Sequence, residues 1–226
     1  MVALADGWPC RLPPSLLICP TFEALLIATA KCQIVVVDMP IGLPTGAEHR
    51  RCDLIGRTLL GPVAATRLFY APPRPTLSAR TPTEFQSLHR AVTGKGAGLP
   101  VWGILPKLRE VDDVMTPAPD LQNRVYEFHP ELAWQHLAGM LLPSKHTHDG
   151  LKQRMALLQG YVPGLDEITA PRAGLRRKDA SLDDLLDALA GLGVAQAIAA
   201  GPDYERRIPI GEPELDRCGL RMEIWF

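Results

Sequence analysis

The chain has 226 residues, with 24 basic side chains against 25 acidic ones and a net charge of −1. That balance creates no global field toward a polyanion or an anionic membrane, so nucleic-acid binding would need a local basic patch. Cys10, Cys19, Cys32, Cys52 and Cys218 are odd in number and form no C-x-x-C pair, which argues against a disulfide framework or a zinc site; no apolar run reaches membrane-spanning length, and a soluble cytoplasmic protein is expected.

The 22 prolines are about double the usual share of roughly 5%, so short elements and long ordered loops are expected. Met1–Leu4 and the stretch Ser15–Ile18 read as strands. Thr21 opens a helical pattern over 22–31, with Glu23 in the first turn, where the helix dipole favours an acid. The strongest signal follows, in Gln33-Ile34-Val35-Val36-Val37-Asp38-Met39-Pro40-Ile41-Gly42-Leu43-Pro44. Four β-branched residues in a row predict a short strand buried on both faces, as in a mostly parallel sheet. Pro40, Gly42 and Pro44 bar its continuation. Asp38 then stands at the carboxyl end of a buried strand, where open α/β sheets place their ligands.

A helix is predicted over 47–60, stopped by Gly61-Pro62, with Leu54, Leu59 and Leu60 for burial and Arg50, Arg51 and Arg57 on a basic side. Thr81-Pro82-Thr83-Glu84 is a helix start for 82–92. The run Gly94-Lys95-Gly96-Ala97-Gly98 lacks the G-K-[ST] ending of a phosphate loop and follows a helix, so it reads as a loop. A helix over 102–114 should kink or break at Pro106. Arg124–Glu131 is a second strand ending in polar residues, with Glu127 on it, and short helices follow at 132–141 and 150–159. His146 and His148 lack a third ligand nearby and read as solvated or capping groups.

Ser181 with Asp184 resembles a capping box before a helix reaching toward Ala200, and Leu182, Leu185, Leu186 and Leu189 form its apolar stripe. Asp183 and Asp184 suit a first turn. Asp187 lies a turn further in at the edge of the buried face, which makes it the acid of choice for function. The tail 219–226 alternates like a closing strand. Together Asp38, Glu127, Asp184 and Asp187 form a candidate catalytic set. Hard oxygen ligands converging on one point suit Mg²⁺ or Mn²⁺. The basic segment 172–178 leads into the acidic helix and reads equally as a patch for backbone phosphates or as an ordinary solvated loop.

The phrases Asp38-Met39-Pro40-Ile41-Gly42-Leu43-Pro44, Pro106-Lys107-Leu108-Arg109-Glu110-Val111-Asp112, Glu127-Phe128-His129-Pro130-Glu131 and Asp184-Leu185-Leu186-Asp187-Ala188-Leu189, in that order, resemble domain-of-unknown-function family 429. Arg221-Met222-Glu223-Ile224-Trp225 is also typical of it. The family is described as predicted nucleases of ribonuclease H-like fold, and the Asp-x-x-Asp-Ala-Leu phrase is similar to the last helix of bacterial Holliday-junction resolvases. The resemblance implies one α/β domain over 1–226, a ribonuclease H-like mixed sheet flanked by helices, with helical insertions at about 45–120 and 130–180. It implies metal-dependent cleavage of DNA or RNA by Asp38, Glu127, Asp184 and Asp187, with Asp38, Asp184 and Asp187 as ligands of Mg²⁺ or Mn²⁺ and Lys107, Arg109, Lys145, Arg176 and Arg177 holding phosphates. Members usually open with a strand carrying Gly-x-Asp-Gly. This chain is expected to begin at the second strand, leaving the sheet one strand short. A non-catalytic ribonuclease H-like binding module is therefore the alternative, and a phosphotransferase of the actin-like fold is a weaker third, since the glycine-rich phosphate loops it needs are missing from the sequence.

Overall fold

The computed structural model describes residues 1–170, 180–201 and 204–226. In chain order the elements are β1 (Val2–Leu4), β2 (Ser15–Leu17), α1 (Phe22–Ala28), β3 (Val35–Val37), α2 (Arg51–Ala64), α3 (Pro82–Thr93), α4 (Leu99–Met115), β4 (Val125–Glu127), α5 (Pro130–Ala138), α6 (His148–Leu158), α7 (Leu165–Thr169), α8 (Leu182–Ala199), β5 (Arg207–Ile208), β6 (Glu214–Leu215), β7 (Arg221–Met222) and β8 (Ile224–Trp225). The chain is thus a mixed α/β protein with small sheets.

Local chemistry sets most helix ends. The hydroxyls of Thr21, Thr81, Thr147 and Ser181 each accept from a backbone N–H in the following turn, a cap worth about 1 kcal/mol. Gly94 and Gly139 end α3 and α5 in the left-handed region. Three expectations need correction. Pro106 does not break α4: the helix runs from Leu99 to Met115 with no non-helical residue inside it, and Pro100 occupies its first turn. Helix α2 begins only at Arg51; Gly61, with φ 71° and ψ 174°, stops its regular path as expected, and a second short helical stretch follows it. On that helix Leu60 is buried, while Leu54 and Leu59 face solvent; Arg50, expected on a basic surface, is only 2% exposed.

The β-strands form pairs rather than the expected continuous sheet. β1 pairs antiparallel with β2, β3 parallel with β4, β5 with β8 and β6 with β7. A bridge from Phe128 to Trp225 joins the β4 end to β8. β3 and β4 bury both faces, as four β-branched residues require. Val35, Val37 and Val125 pack with Phe22 of α1 and with Val111 and Met115 of α4, while Val36 and Tyr126 pack toward Phe128, Val194 and Ile198 on the α8 side. Gly191 lets α8 come this close: a Cβ there would lie 3.1 Å from Phe128 Cζ and 3.3 Å from Val36 Cγ2. The largest cluster joins Leu186 and Leu189 of α8 to Trp134 of α5 and Leu158 of α6, all fully buried. Each such side chain contributes about 1.5–3 kcal/mol.

β1 also lies on α8, yet it does not pair with β3. A cavity of about 640 Å³ separates them. All five cysteines are free thiols. Among the described residues no helix is long and apolar enough to cross a membrane.

Candidate active site

The carboxyl ends of β3 and β4 and the first turns of α8 meet at one end of this cavity. Asp38, Asp184, Asp187 and Lys145 all line it. Asp38 leaves β3 just as Pro40 and Gly42 turn the chain away. Gly42 has a φ of 74°, and a Cβ on it would sit 2.9 Å from Met222 Cγ and 3.0 Å from the Arg221 carbonyl, so the loop lies flat on β7. Asp184 closes the capping box: Ser181 N–H and Oγ–H donate to its Oδ2 at 2.9 and 2.6 Å. Asp187, one turn on, is buried. Its Oδ1 accepts from Trp134 Nε1 at 2.7 Å, and its Oδ2 from Lys145 Nζ at 2.7 Å. Lys145 also lies 3.5 Å from Asp183 Oδ2.

Four carboxylates here face one ammonium. Asp38 bears the consequence. Its side chain opens onto the cleft and makes no hydrogen bond among the described residues. Its carboxyl is pushed up to about 7, first because the surrounding protein displaces water from the cleft floor and then because Asp187 repels its charge, with Lys145 opposing. Water reaching the side chain through the cleft moderates that effect, and the direction is upward. Burial raises Asp187 as well, against the pull of Lys145 and Trp134. Burial alone would lower Lys145, but Asp187 outweighs it and holds the ammonium charged.

Glu127 adjoins the group but is spent differently. Arg50 Nη1 and Nη2 donate to its two oxygens at 2.7 and 2.8 Å, and the Ile41 N–H donates to Oε2 at 2.7 Å. Arg50 Nη2 also meets Asp53 Oδ1 at 2.5 Å, and Asp53 Oδ2 accepts from Ala71 N–H at 2.9 Å. Glu127 therefore anchors the loop after Asp38 from below. The expected phosphate-binding cations separate in the same way. Lys145 is in the cluster. Lys107 lines the cavity while bonded to the Pro20 carbonyl and to Glu110. Arg109 is turned away and donates to the Leu77 and Ala79 carbonyls at 2.8 and 2.9 Å. Arg176 and Arg177, with the rest of the basic segment 172–178, lie outside the described residues.

Sequence reasoning missed Trp134, Arg50 and Asp53. An i,i+3 Arg–Asp pair at a helix start offered a signal for the last two, whereas Trp134 offered none beyond its likeness to core. Among the described residues no group of three or more His, Cys, Asp or Glu side chains is placed to hold a metal ion. The donor chemistry still fits a hard cation of the kind that keeps most of its waters and takes one or two carboxylates. Asp38 is unpartnered, Asp184 keeps Oδ1 without a hydrogen bond among the described residues, and Asp187 would join on release of Lys145.

An α/β protein with a carboxylate-lined cleft at the end of a parallel strand pair is the class that this fold and site define. The chain belongs to the family described as "Protein of unknown function (DUF429)", whose model matches residues 1–213. No curated protein and no solved structure matches it.

Proposed function

We propose that the acidic end of the cleft hydrolyses phosphodiester bonds of DNA or RNA with the help of Mg²⁺ or Mn²⁺, on a ribonuclease H-like arrangement in which β3, β4 and α8 carry the acids. The observation that carries this reading is Asp38: an unpartnered carboxylate beside three others, its proton held up to about 7, is the group that a divalent cation or a phosphate-bound cation would discharge. Asp38 and Asp184 would hold the ion first and Asp187 after Lys145 leaves it. The ion supplies Lewis acidity toward a phosphoryl oxygen. The chain's own contribution is positioning. Glu127 and Arg50 fix the loop from Ile41 to Gly42, Trp134 fixes Asp187, and Lys145, once released from Asp187, can pair with a phosphate as a point charge.

The test is cleavage of end-labelled single- and double-stranded DNA and RNA with Mg²⁺ or Mn²⁺, comparing the chain with Asp38→Asn and Asp187→Asn. The expected result is cleavage that falls at least a hundredfold in Asp38→Asn, at the lower end of what a single catalytic group contributes, with the fold intact by circular dichroism. Equal cleavage by the chain and Asp38→Asn would sink the proposal.

One observation favours a second reading, a binding module without turnover: Lys145 already occupies Asp187 where a cation would sit. Saturable nucleic-acid binding that survives Asp187→Asn, without cleavage, is its signature.

A further inference from the structure

We infer that the exposed stack of His49 on Tyr70 and Arg57 is a binding site for an unpaired nucleotide of a single-stranded nucleic acid, with Lys95 to meet its phosphate. The site lies outside the acidic cleft. It rests on the nucleic-acid half of the proposed function and not on cleavage.

The His49 and Tyr70 rings stack with centroids 3.6 Å apart and planes 11° from parallel. The Arg57 guanidinium carbon stands 4.4 Å from the centroid of the same Tyr70 ring. His49 already fills one face of Tyr70 at van der Waals distance, so Arg57 lies over the other. The layers run guanidinium, phenol, imidazole, and His49 is the outer one. It is exposed, and among the described residues no other ring or cation stacks on it. Partial burial against Tyr70 lowers the His49 pKa, and Lys95, Arg57 and His89 lower it further against the pull of Asp53. The imidazole is therefore mainly neutral at about pH 7, a flat π surface with cations beside it.

The stack is held from below. Arg50, next in the chain to His49, is sealed between Asp53 and Glu127. Tyr70 stands between Phe69, which lines a small chamber with Asp38 and Met39, and Ala71, whose N–H donates to Asp53 Oδ2 at 2.9 Å. Arg57 donates to the Leu68 carbonyl. Rings anchored in this way lose little freedom on binding, and that loss is a main cost of a surface site. The same anchors join the stack to the loop after Asp38, because Arg50 Nη1 also donates to the Ile41 and Gly42 carbonyls.

The polar groups around the stack are unspent. The His49 ring nitrogens, the Tyr70 hydroxyl and the Lys95 ammonium have no hydrogen-bond or ion-pair partner among the described residues. Lys95 is fixed through its backbone: His89 Nδ1 donates to its carbonyl at 2.8 Å, and Thr93 Oγ accepts from its N–H at 3.1 Å. Its ammonium acts on His49 across the surface, which places it for the phosphate of a base seated on that ring. A base face laid on an aromatic side chain with cations alongside is how single strands are held. In a duplex each base face is already covered by its neighbours, so the ligand is an unpaired nucleotide. Arg57 and Lys95 beside one open ring form the local basic patch that a chain of balanced charge needs.

The test is fluorescence polarisation of a fluorescein-labelled deoxyadenosine decamer in EDTA, where metal-dependent cleavage does not contribute, beside a decamer of abasic sugars. On the unaltered protein the abasic strand should bind at least about fivefold more weakly, the low end of what one base–aromatic stack contributes. His49→Ala should weaken the deoxyadenosine strand by about the same factor and leave the abasic strand unchanged. His49→Phe, which keeps a stacking face without ring nitrogens, should hold the deoxyadenosine strand within about twofold. Lys95→Ala should lower the magnitude of the slope of log K against log salt by about 0.7. Equal binding of the two strands by the unaltered protein, or none of either, overturns the inference. So does adenosine monophosphate that competes as well as the decamer, because the occupant would then be a free nucleotide. Base-dependent binding without any cleavage sinks only the hydrolase, and cleavage without base-dependent binding sinks only this site.

Discussion

Two groups of acids flank the loop that follows β3, and they differ in how their charge is met. Below the loop, Glu127 and Asp53 share Arg50, with all three groups nearly sealed from water and every carboxylate oxygen accepting a hydrogen bond. Above it, Asp38, Asp183, Asp184 and Asp187 share Lys145 at the floor of an open cleft. The first arrangement is complete, and adding a ligand would cost it bonds. The second carries surplus negative charge and an unpartnered carboxylate, which a cation or a proton relieves. Residue types alone do not separate a structural acid from a chemical one; the ratio of donors to carboxylates does.

Breaking the closed group should have the largest effect. Arg50→Ala strands two buried carboxylates and should cost about 3–5 kcal/mol, read as a lower urea midpoint. A loss under about 1 kcal/mol would mean that water satisfies Glu127 and Asp53 and that the contrast is false.

In the open group, Lys145→Met should cost less, about 1–2 kcal/mol, between the values of an exposed and a buried pair. It should also raise the Asp38 pKa further, since Lys145 is the group that lowers it. Carboxyl-carbon NMR titration of Asp38 in both proteins reads this directly, and an unmoved midpoint would separate Lys145 from Asp38.

The smallest effect is the pH dependence from Asp38 itself. An acid with a raised folded pKa binds its proton more tightly when folded. Its contribution to stability is therefore full below the unfolded value of about 4 and is lost as pH climbs through about 7. Asp38→Asn should flatten that decline across the same interval in thermal melts. Parallel curves for the two proteins would place Asp38 in ordinary water.

Local signals made part of this site legible. The β-branched run and the breakers after it marked Asp38 at a strand end, and Ser181 with Asp184 marked the start of α8. The apolar stripe of that helix set Asp187 at the buried edge, where it lies. The illegible part is long-range. Arg50 meets Glu127 across 77 positions, Trp134 meets Asp187 across 53 and Lys145 meets it across 42. No periodicity encodes those pairings. For the same reason Arg50 read as surface, because a buried arginine is explained only by carboxylates that the chain brings from elsewhere. Arg109 read as a phosphate ligand, though two carbonyls 30 and 32 positions away already hold it. Strand pairing failed similarly: short apolar runs located β1 and β3 but not the space between them.

The indole that fixes Asp187 belongs to a chromophore. Trp134 is fully buried, its N–H is committed to the carboxylate at 2.7 Å, and the Arg154 guanidinium stands 5.7 Å from its ring. Whatever alters the charge on Asp187, whether a proton, a cation or the departure of Lys145, alters the electric field across that ring without exposing it to water. The emission wavelength of this one tryptophan is thereby tied to the electrical state of the cleft, and the protein carries an unlabelled optical reporter of what enters it.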